Sequence, residues 1–292
     1  MRAIVVAGPG VVPDGVDDIR RFARATGVGV LNTFGVKGLF RWDDPAHLGT
    51  IGLQARDVEL AGLLDADVDA VIAVGLDEQE LGLADLGPRA EVVTPAELAS
   101  WEGRVEPAPR GRLYDELRAA LLPLYDSEDV PLTPAAAVAD LAAVLPAGGL
   151  VCADPGPVGL WVARALPTLE LGSVYVPAVD SPDLALRRAR AAAAQGHAAM
   201  LVTDRDVAAE PGVVVERWMD EQCIAPASSA PSNRADRRWR LEANLAAGGG
   251  LLETPVELAL TDVLVKVAGP VTAWTRPSQP SVATEIGMDP IR

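Results

Sequence analysis

The segment that decides the fold is Asn32-Thr-Phe-Gly-Val-Lys-Gly-Leu-Phe40, which follows a strand–helix–strand pattern at the start of the chain. Residues 3–7 form a β-branched apolar run that stops at Gly8-Pro9-Gly10, as a buried parallel strand followed by a tight turn does. Apolar residues at helical spacing then lead to Gly27, and residues 28–31 are apolar again. This β-α-β pattern predicts a doubly wound sheet of parallel strands.

The same alternation continues and predicts an α/β protein with two Rossmann-like parallel-sheet domains and helices on both faces. Thr133 and Pro134 suit an N-cap and a first helical position, so a helix begins there. Further strands are expected at residues 70–74, 91–93, 149–153, 173–176 and 199–202, and further helices at 56–64, 113–124, 160–166 and 184–194. The expected domains are residues 1–111 and 131–222, with a linker helix in 112–130 and a linker plus C-terminal extension in 223–292.

The C-terminal extension has a weaker pattern. Residues 225–233 are rich in alanine, proline and serine, which is typical of a flexible linker. Arg237, Arg238 and Arg240 indicate a basic, exposed helix that ends near Gly248. Residues 251–267 are apolar and predict a last helix or a pair of strands that docks on the body of the protein or on a partner.

Composition limits the classes of function. Hydrophobic residues make up 49% of the 292, which excludes a mainly disordered chain. The net charge of −16 disfavours nucleic acid and anionic membranes as partners, and a cytoplasmic protein is expected. There is no apolar run of about 18 residues, and the apolar start is too short for a signal peptide. Cys152 and Cys223 are far apart, so reduced thiols rather than a zinc site are expected.

Glycine turns follow several of the predicted strands in the first domain. In open α/β sheets, ligands bind beyond the carboxyl ends of the strands, where backbone amides can receive an anion. The acidic segment Asp77-Glu-Gln-Glu80 opposes an anionic dinucleotide there, and plain turns with an exposed lysine are an open alternative. The candidates for binding a cofactor at this edge are Gly8, Gly10, Thr33, Gly35, Lys37 and Gly75.

Taken in order, these segments resemble the central domain of thiamine-diphosphate (ThDP) enzymes of the acetolactate synthase and pyruvate oxidase type. In that family the central domain holds FAD or ADP in some members and nothing in others. A fainter likeness to the family's C-terminal, diphosphate-binding domain begins at residue 131 and would place Asp154 and Gly156 at the cofactor. The matching motifs are Ala7-Gly-Pro-Gly10, Val30-Leu-Asn-Thr33, Gly35-x-Lys-Gly38-Leu-Phe40, Asp44-Pro-x-His-Leu-Gly49-x-x-Gly52, Asp69-Ala-Val-Ile-Ala-Val-Gly75 and Val151-Cys-Ala-Asp-Pro-Gly156.

The second half departs from the family pattern. Family members have a glycine-rich stretch where this chain reads Ser173-Val-Tyr-Val-Pro-Ala178. They carry Gly-Asp-Gly, which helps to hold Mg²⁺, where this chain reads Thr203-Asp204-Arg205. The resemblance implies Asp204 as a metal ligand, although Arg205 replaces a glycine of the turn. The family's pyrimidine-binding domain, which supplies the activating glutamate, has no counterpart in this sequence.

Three hypotheses of function follow. The first is a degenerate ThDP-enzyme relative, not catalytic alone, that acts as a binding, regulatory or scaffold protein. The second is a subunit of a split ThDP-dependent C–C bond lyase or transferase that binds Mg-ThDP with a separate pyrimidine-domain partner. The third is an unrelated enzyme that uses Asp154, His197 or Asp204. The resemblance also favours a homo-oligomer, since the family's cofactor lies between subunits.

Overall fold

The computed structural model describes residues 1–181, 183–220 and 230–275. In the first domain, five parallel strands form a sheet in the order β3-β2-β1-β4-β5, and a short sixth strand pairs with β1. Their bounds are β1 Arg2–Ala7, β2 Val30–Thr33, β3 His47–Ile51, β4 Ala70–Val74, β5 Ala90–Val92 and β6 Glu106–Pro107. The predicted parallel sheet is confirmed. No strand was predicted at β3, where the sequence offered only the motif with Gly49 and Gly52.

The second domain contains a separate parallel sheet in the order β11-β10-β9-β7-β8. Its strands are β7 Leu150–Ala153, β8 Val174–Tyr175, β9 Ala199–Thr203, β10 Val213–Met219 and β11 Gly250–Pro255. The expected end of this domain at residue 222 is wrong, because β11 lies beyond it and pairs with β10 along its whole length. The apolar stretch 251–267, predicted as a last helix or a pair of strands, instead contains the strand β11 and then a helix, Thr261–Ala268.

Eight α-helices accompany these strands in the described residues. They are α1 Val16–Thr26, α2 Asp57–Leu60, α3 Leu113–Tyr125, α4 Pro134–Val144, α5 Pro157–Ala165, α6 Leu184–Ala194, α7 Arg234–Ala247 and α8 Thr261–Ala268. Thr133 caps α4 as predicted, with its Oγ1 accepting from the Ala136 amide at 3.2 Å. The helix expected at 56–64 is shorter, because Gly62 turns the chain away at φ +74°. None of the described helices combines the length and the apolarity needed to cross a bilayer.

Each sheet is covered on both of its faces. Val5 of β1 packs with α1 on the outer face, while Val6 belongs to a core that both domains share. In β7 the thiol of Cys152 faces α6, and Val151 points into the shared core. We call helices α3, α4, α5 and α8 the shared layer, because their buried residues join that one core. The expected linker helix α3 is therefore packed against the rest of the protein. Cys223, predicted to be a reduced thiol, lies outside the described residues.

One arginine of the basic C-terminal helix is buried, although the helix was predicted to be exposed, while Arg238 is exposed as predicted. Asn233, predicted within a flexible linker, is the N-cap of α7 and accepts from the Asp236 amide at 2.9 Å. Arg237 has no exposed surface and binds both carboxylate oxygens of Glu216, at 2.6 and 2.7 Å. It also reaches Asp140 of α4 at 3.1 Å. Arg237 thus attaches α7 to the second sheet, whereas Arg238 and Arg240 stay on the outer side of the helix.

A buried ion pair joins the two domains. Arg164 of α5 reaches across to Asp57, and both side chains are almost fully buried. The same guanidinium donates to the Gln54 side chain at 3.1 Å and to the Thr50 carbonyl at 2.5 Å. Gln54 in turn donates to the Leu264 carbonyl of α8 at 3.0 Å. These contacts fix the relative position of both sheets around the shared layer.

Candidate functional site

The glycine turns at the carboxyl edge of the first sheet are packed against each other. The Gly8 amide donates to the Val74 carbonyl at 2.9 Å, and the Gly10 amide to the Gly75 carbonyl at 2.8 Å. A Cβ on Gly8 would lie 2.5 Å from the Gly75 oxygen, so glycine is needed for this close approach. The expectation that these amides are free for a phosphate is wrong, because both have partners within the chain.

Gly35 is also occupied, in this case by a buried carboxylate. Its amide donates to Oε2 of Glu80 at 3.1 Å, and a Cβ on Gly35 would clash with that side chain. Glu80 is 3% exposed, and burial raises the pKa of its carboxyl to about 7. Thr33, at the end of β2, is fully buried. An acidic group thus occupies the position proposed for an anion, as the segment containing Glu80 suggested.

Lys37 is buried, so it is not the exposed turn lysine that was the open alternative. Its side chain is 6% exposed and lines a cavity between the two domains that does not include the glycine turns of the first sheet. Burial, with the nearby charge of Arg164, lowers the pKa of Lys37 to about 7. Within the described parts of the chain, its ammonium forms no hydrogen bond and no ion pair.

The carboxyl edge of the second sheet brings Asp154 and Arg205 together. The strand order reverses between β7 and β9, and ligands of open α/β sheets bind at such a switch point. There, Oδ2 of Asp154 accepts from the Thr203 hydroxyl at 2.5 Å and from two nitrogens of Arg205 at 2.9 and 2.7 Å. Oδ1 of Asp154 is buried without a partner in the described residues. Gly156, at φ +101°, opens α5 beside this cluster, with empty space where a Cβ would stand.

The proposed metal ligand Asp204 stands alone. It is exposed in the turn after β9, and the next acid, Asp206, pairs with Arg217 at 3.2 Å. No group of three or more His, Cys, Asp or Glu side chains able to hold a metal occurs in the described ranges. Mg²⁺ requires several oxygen ligands in near-octahedral geometry. The described donors at this edge therefore do not fit Mg-ThDP, and His197, far from them, is an exposed turn residue.

A cavity of about 330 Å³ lies between the first sheet and the shared layer. Lys37 and the end of β3 form one side of it, α3 forms another, and the end of α5 closes it. Sequence reasoning identified only Lys37 among its polar residues, because the others come together from segments far apart in the chain. They are His47, Thr50, Tyr114, Arg118, Tyr125 and Arg164.

Comparison with known proteins agrees with the fold. Residues 1–94 match the family model of the thiamine pyrophosphate enzyme central domain. The first domain is thus similar to the central domain of that family. No curated protein matches the chain.

A solved structure extends the likeness to the second domain. It is an X-ray structure of a protein from Mycobacterium smegmatis that is assigned provisionally as a thiamin diphosphate-dependent enzyme. The TM-score is 0.57 at 15% sequence identity, and the match covers 88% of this chain and 62% of that one. This chain thus spans less than two thirds of that protein, and at such identity the likeness is one of fold.

Proposed function

We propose that this chain is a degenerate relative of ThDP-dependent enzymes that is not catalytic alone and acts as a binding, regulatory or scaffold protein. The ion pair of Arg205 with Asp154 carries the proposal. It fills the switch point of the second sheet with an internal cation, where the resemblance places a diphosphate and its metal. Oδ2 of Asp154, which already accepts from a hydroxyl and a guanidinium, has little left to offer Mg²⁺.

Calorimetric titration with ThDP and Mg²⁺ tests this proposal. We expect no binding heat and no change in melting temperature for the whole chain. A ligand of the native state would raise that temperature, because it stabilises folding by an amount that grows with the logarithm of its concentration over its dissociation constant. The variant Arg205→Gly, which restores the residue type of the family turn, serves as the comparison. Micromolar binding of Mg-ThDP by the unaltered chain would overturn the proposal.

A second candidate, a subunit of a split ThDP-dependent enzyme, is favoured by one observation. Oδ1 of Asp154 is buried and unpaired next to the open space at Gly156. The same titration with a separate pyrimidine-domain protein distinguishes the candidates. ThDP binding that appears only in the mixture supports the split enzyme, and its absence in both experiments supports a binding protein.

A further inference from the structure

The interdomain cavity contains a buried lysine that the proposed function does not use. The 3₁₀ turn Phe34–Val36 after β2 places Lys37 behind β3. Gly38 then turns the chain at φ +92°, with the Glu170 carbonyl only 2.3 Å from where a Cβ would stand. The lysine is thus held by tight backbone packing.

The unpartnered ammonium is costly unless something binds it. Burying a charge without a counter-ion is strongly unfavourable, so buried lysines are rare unless paired. No carboxylate is found among the residues that line the cavity in the described part of the chain. Asp57, behind the cavity, is bound to Arg164 and to the backbone amides of Leu53 and Gln54. No lining residue in the described part of the chain supplies a counter-ion for Lys37, so this role is open to a ligand.

His47 gives a second, independent indication of a ligand. It is 8% exposed and lines the same cavity, yet its Nδ1 is buried without a hydrogen-bond partner in the described residues. Burial, with the charges of Lys37 and Arg110, lowers the pKa of His47 to about 3, so the ring is neutral near pH 7. A neutral imidazole next to a lysine suits one polar ligand group, since it presents both a donor and an acceptor.

The rest of the lining is apolar. Leu117, Leu121 and Leu122 of α3 face Leu166 after α5, and the aromatic rings of Trp42 and Tyr114 stand with them. The volume is at the lower end of the range of about 300–1,000 Å³ that is typical of small-molecule sites. Arg164 adds no net charge, because Asp57 neutralises it. The site therefore combines a buried lysine, and the exposed Arg118 at its edge, with a short apolar chamber.

We propose that this cavity binds a small organic monocarboxylate with a short apolar tail, whose carboxylate pairs with Lys37 and hydrogen-bonds to His47. The leucines of α3 surround the tail, and the ligand carboxylate supplies the negative charge that Lys37 lacks among the described lining residues. The site is separate from the edge at Asp154, so this proposal and the proposed function can fail independently.

Binding depends on pH through Lys37. A carboxylate stabilises the charged amine, so its affinity is full below pH 7 and falls as Lys37 loses its proton above it. From pH 6 to pH 8 the affinity should fall about tenfold, because a carboxylic acid stays ionised throughout that range. The other charged or titratable groups that line the cavity or stand directly behind it are His47, Asp57, Arg110, Tyr114, Arg118, Tyr125 and Arg164.

Hexanoate is the probe, and hexanamide is its neutral counterpart. Calorimetry should show that hexanoate binds the unaltered protein and that hexanamide binds at least about tenfold more weakly, since one charged contact is lost. The variant Lys37→Met should lose hexanoate binding, whereas Lys266→Arg, at the only other lysine, should retain it. Equal binding of hexanoate and hexanamide, or of hexanoate by the Lys37→Met variant, would overturn the proposal.

A second measurement leaves Lys37 in place, so its result does not depend on whether the Lys37→Met variant folds. With ¹³C-labelled lysine, the Lys266→Arg variant has one lysine signal, which belongs to Lys37. That signal should titrate near pH 7, and hexanoate should raise the midpoint by about one pH unit or more. A midpoint that does not change at saturating or near-solubility hexanoate would contradict the proposed site.

Discussion

Replacing Glu80 by glutamine tests the account of the first sheet's carboxyl edge. Glu80 is buried against the Gly35 amide, and burial raises the pKa of its carboxyl from 4.5 to about 7. Glutamine has the same shape and can still accept from that amide, but it does not titrate. The substitution therefore removes the ionisation of this group and leaves the hydrogen bond with Gly35 possible.

The expected magnitude follows from proton linkage. A group whose pKa is raised on folding contributes stability that is fully present below pH 4.5 and is lost as pH rises to 7. Each pH unit in that interval costs about 1.4 kcal/mol, so the whole loss is about 3 kcal/mol. The Glu80→Gln variant should thus gain stability relative to the unaltered protein as pH rises, by about 2–3 kcal/mol between pH 5 and pH 8.

Urea unfolding at pH 5, 6, 7 and 8 measures this difference. The comparison of the two proteins at each pH removes the titration of the remaining groups. The exposed Glu91, changed to glutamine, is the matched control, and its difference from the unaltered protein should stay within about 0.5 kcal/mol throughout. If the difference in unfolding free energy between the Glu80→Gln variant and the unaltered protein is the same at pH 5 and pH 8, the assignment of a raised pKa to a buried Glu80 is refuted.

Two further pairs of substitutions test the second domain. Arg237→Met leaves the carboxylate of Glu216 buried and unpaired, and we expect a loss of about 3–5 kcal/mol in urea unfolding. The neighbouring Arg238→Met, at an exposed position, should change stability by less than about 1 kcal/mol. Thr133→Ala removes the N-cap of α4 and should cost about 1 kcal/mol, whereas Thr133→Ser should retain most of it. Equal effects of the two arginine substitutions, or of the two threonine substitutions, would contradict these assignments.

The sequence predicted the elements whose signals are local. Helix α6 has the predicted bounds, and α4 begins at the predicted cap because a threonine–proline pair specifies a helix start without tertiary help. Strand β4 was equally clear, since a short valine-rich run between an acid and a glycine fits a buried parallel strand. For the stretch that contains β11, the sequence left a helix and a pair of strands open, because the place of β11 in the sheet depends on pairing with β10 over a long loop.

The sequence misassigned charged residues for a physical reason. Arg237 carries the same local signal as an exposed helical arginine, and only the convergence of Glu216 and Asp140 makes its burial tolerable. Lys37 likewise has the local signal of a turn lysine. Its burial depends on α3 and α5, which lie more than seventy residues further along the chain. The glycine turns were ambiguous for the same reason. The local sequence around Gly8 and Gly35 does not distinguish a turn that binds a ligand from one that packs against another part of the chain.

By itself, the sequence determined two parallel α/β sheets and the central-domain resemblance, because hydrophobic periodicity, caps and turn glycines act over a few residues. Only the tertiary structure decided which charges are paired and which remain open. Arg205 forms an ion pair with Asp154, and Glu80 accepts a hydrogen bond from the Gly35 amide. Lys37, by contrast, has no hydrogen-bond or ion-pair partner in the described chain. The partner of a charged residue depends on distances across the folded core, and the local sequence pattern does not predict those distances.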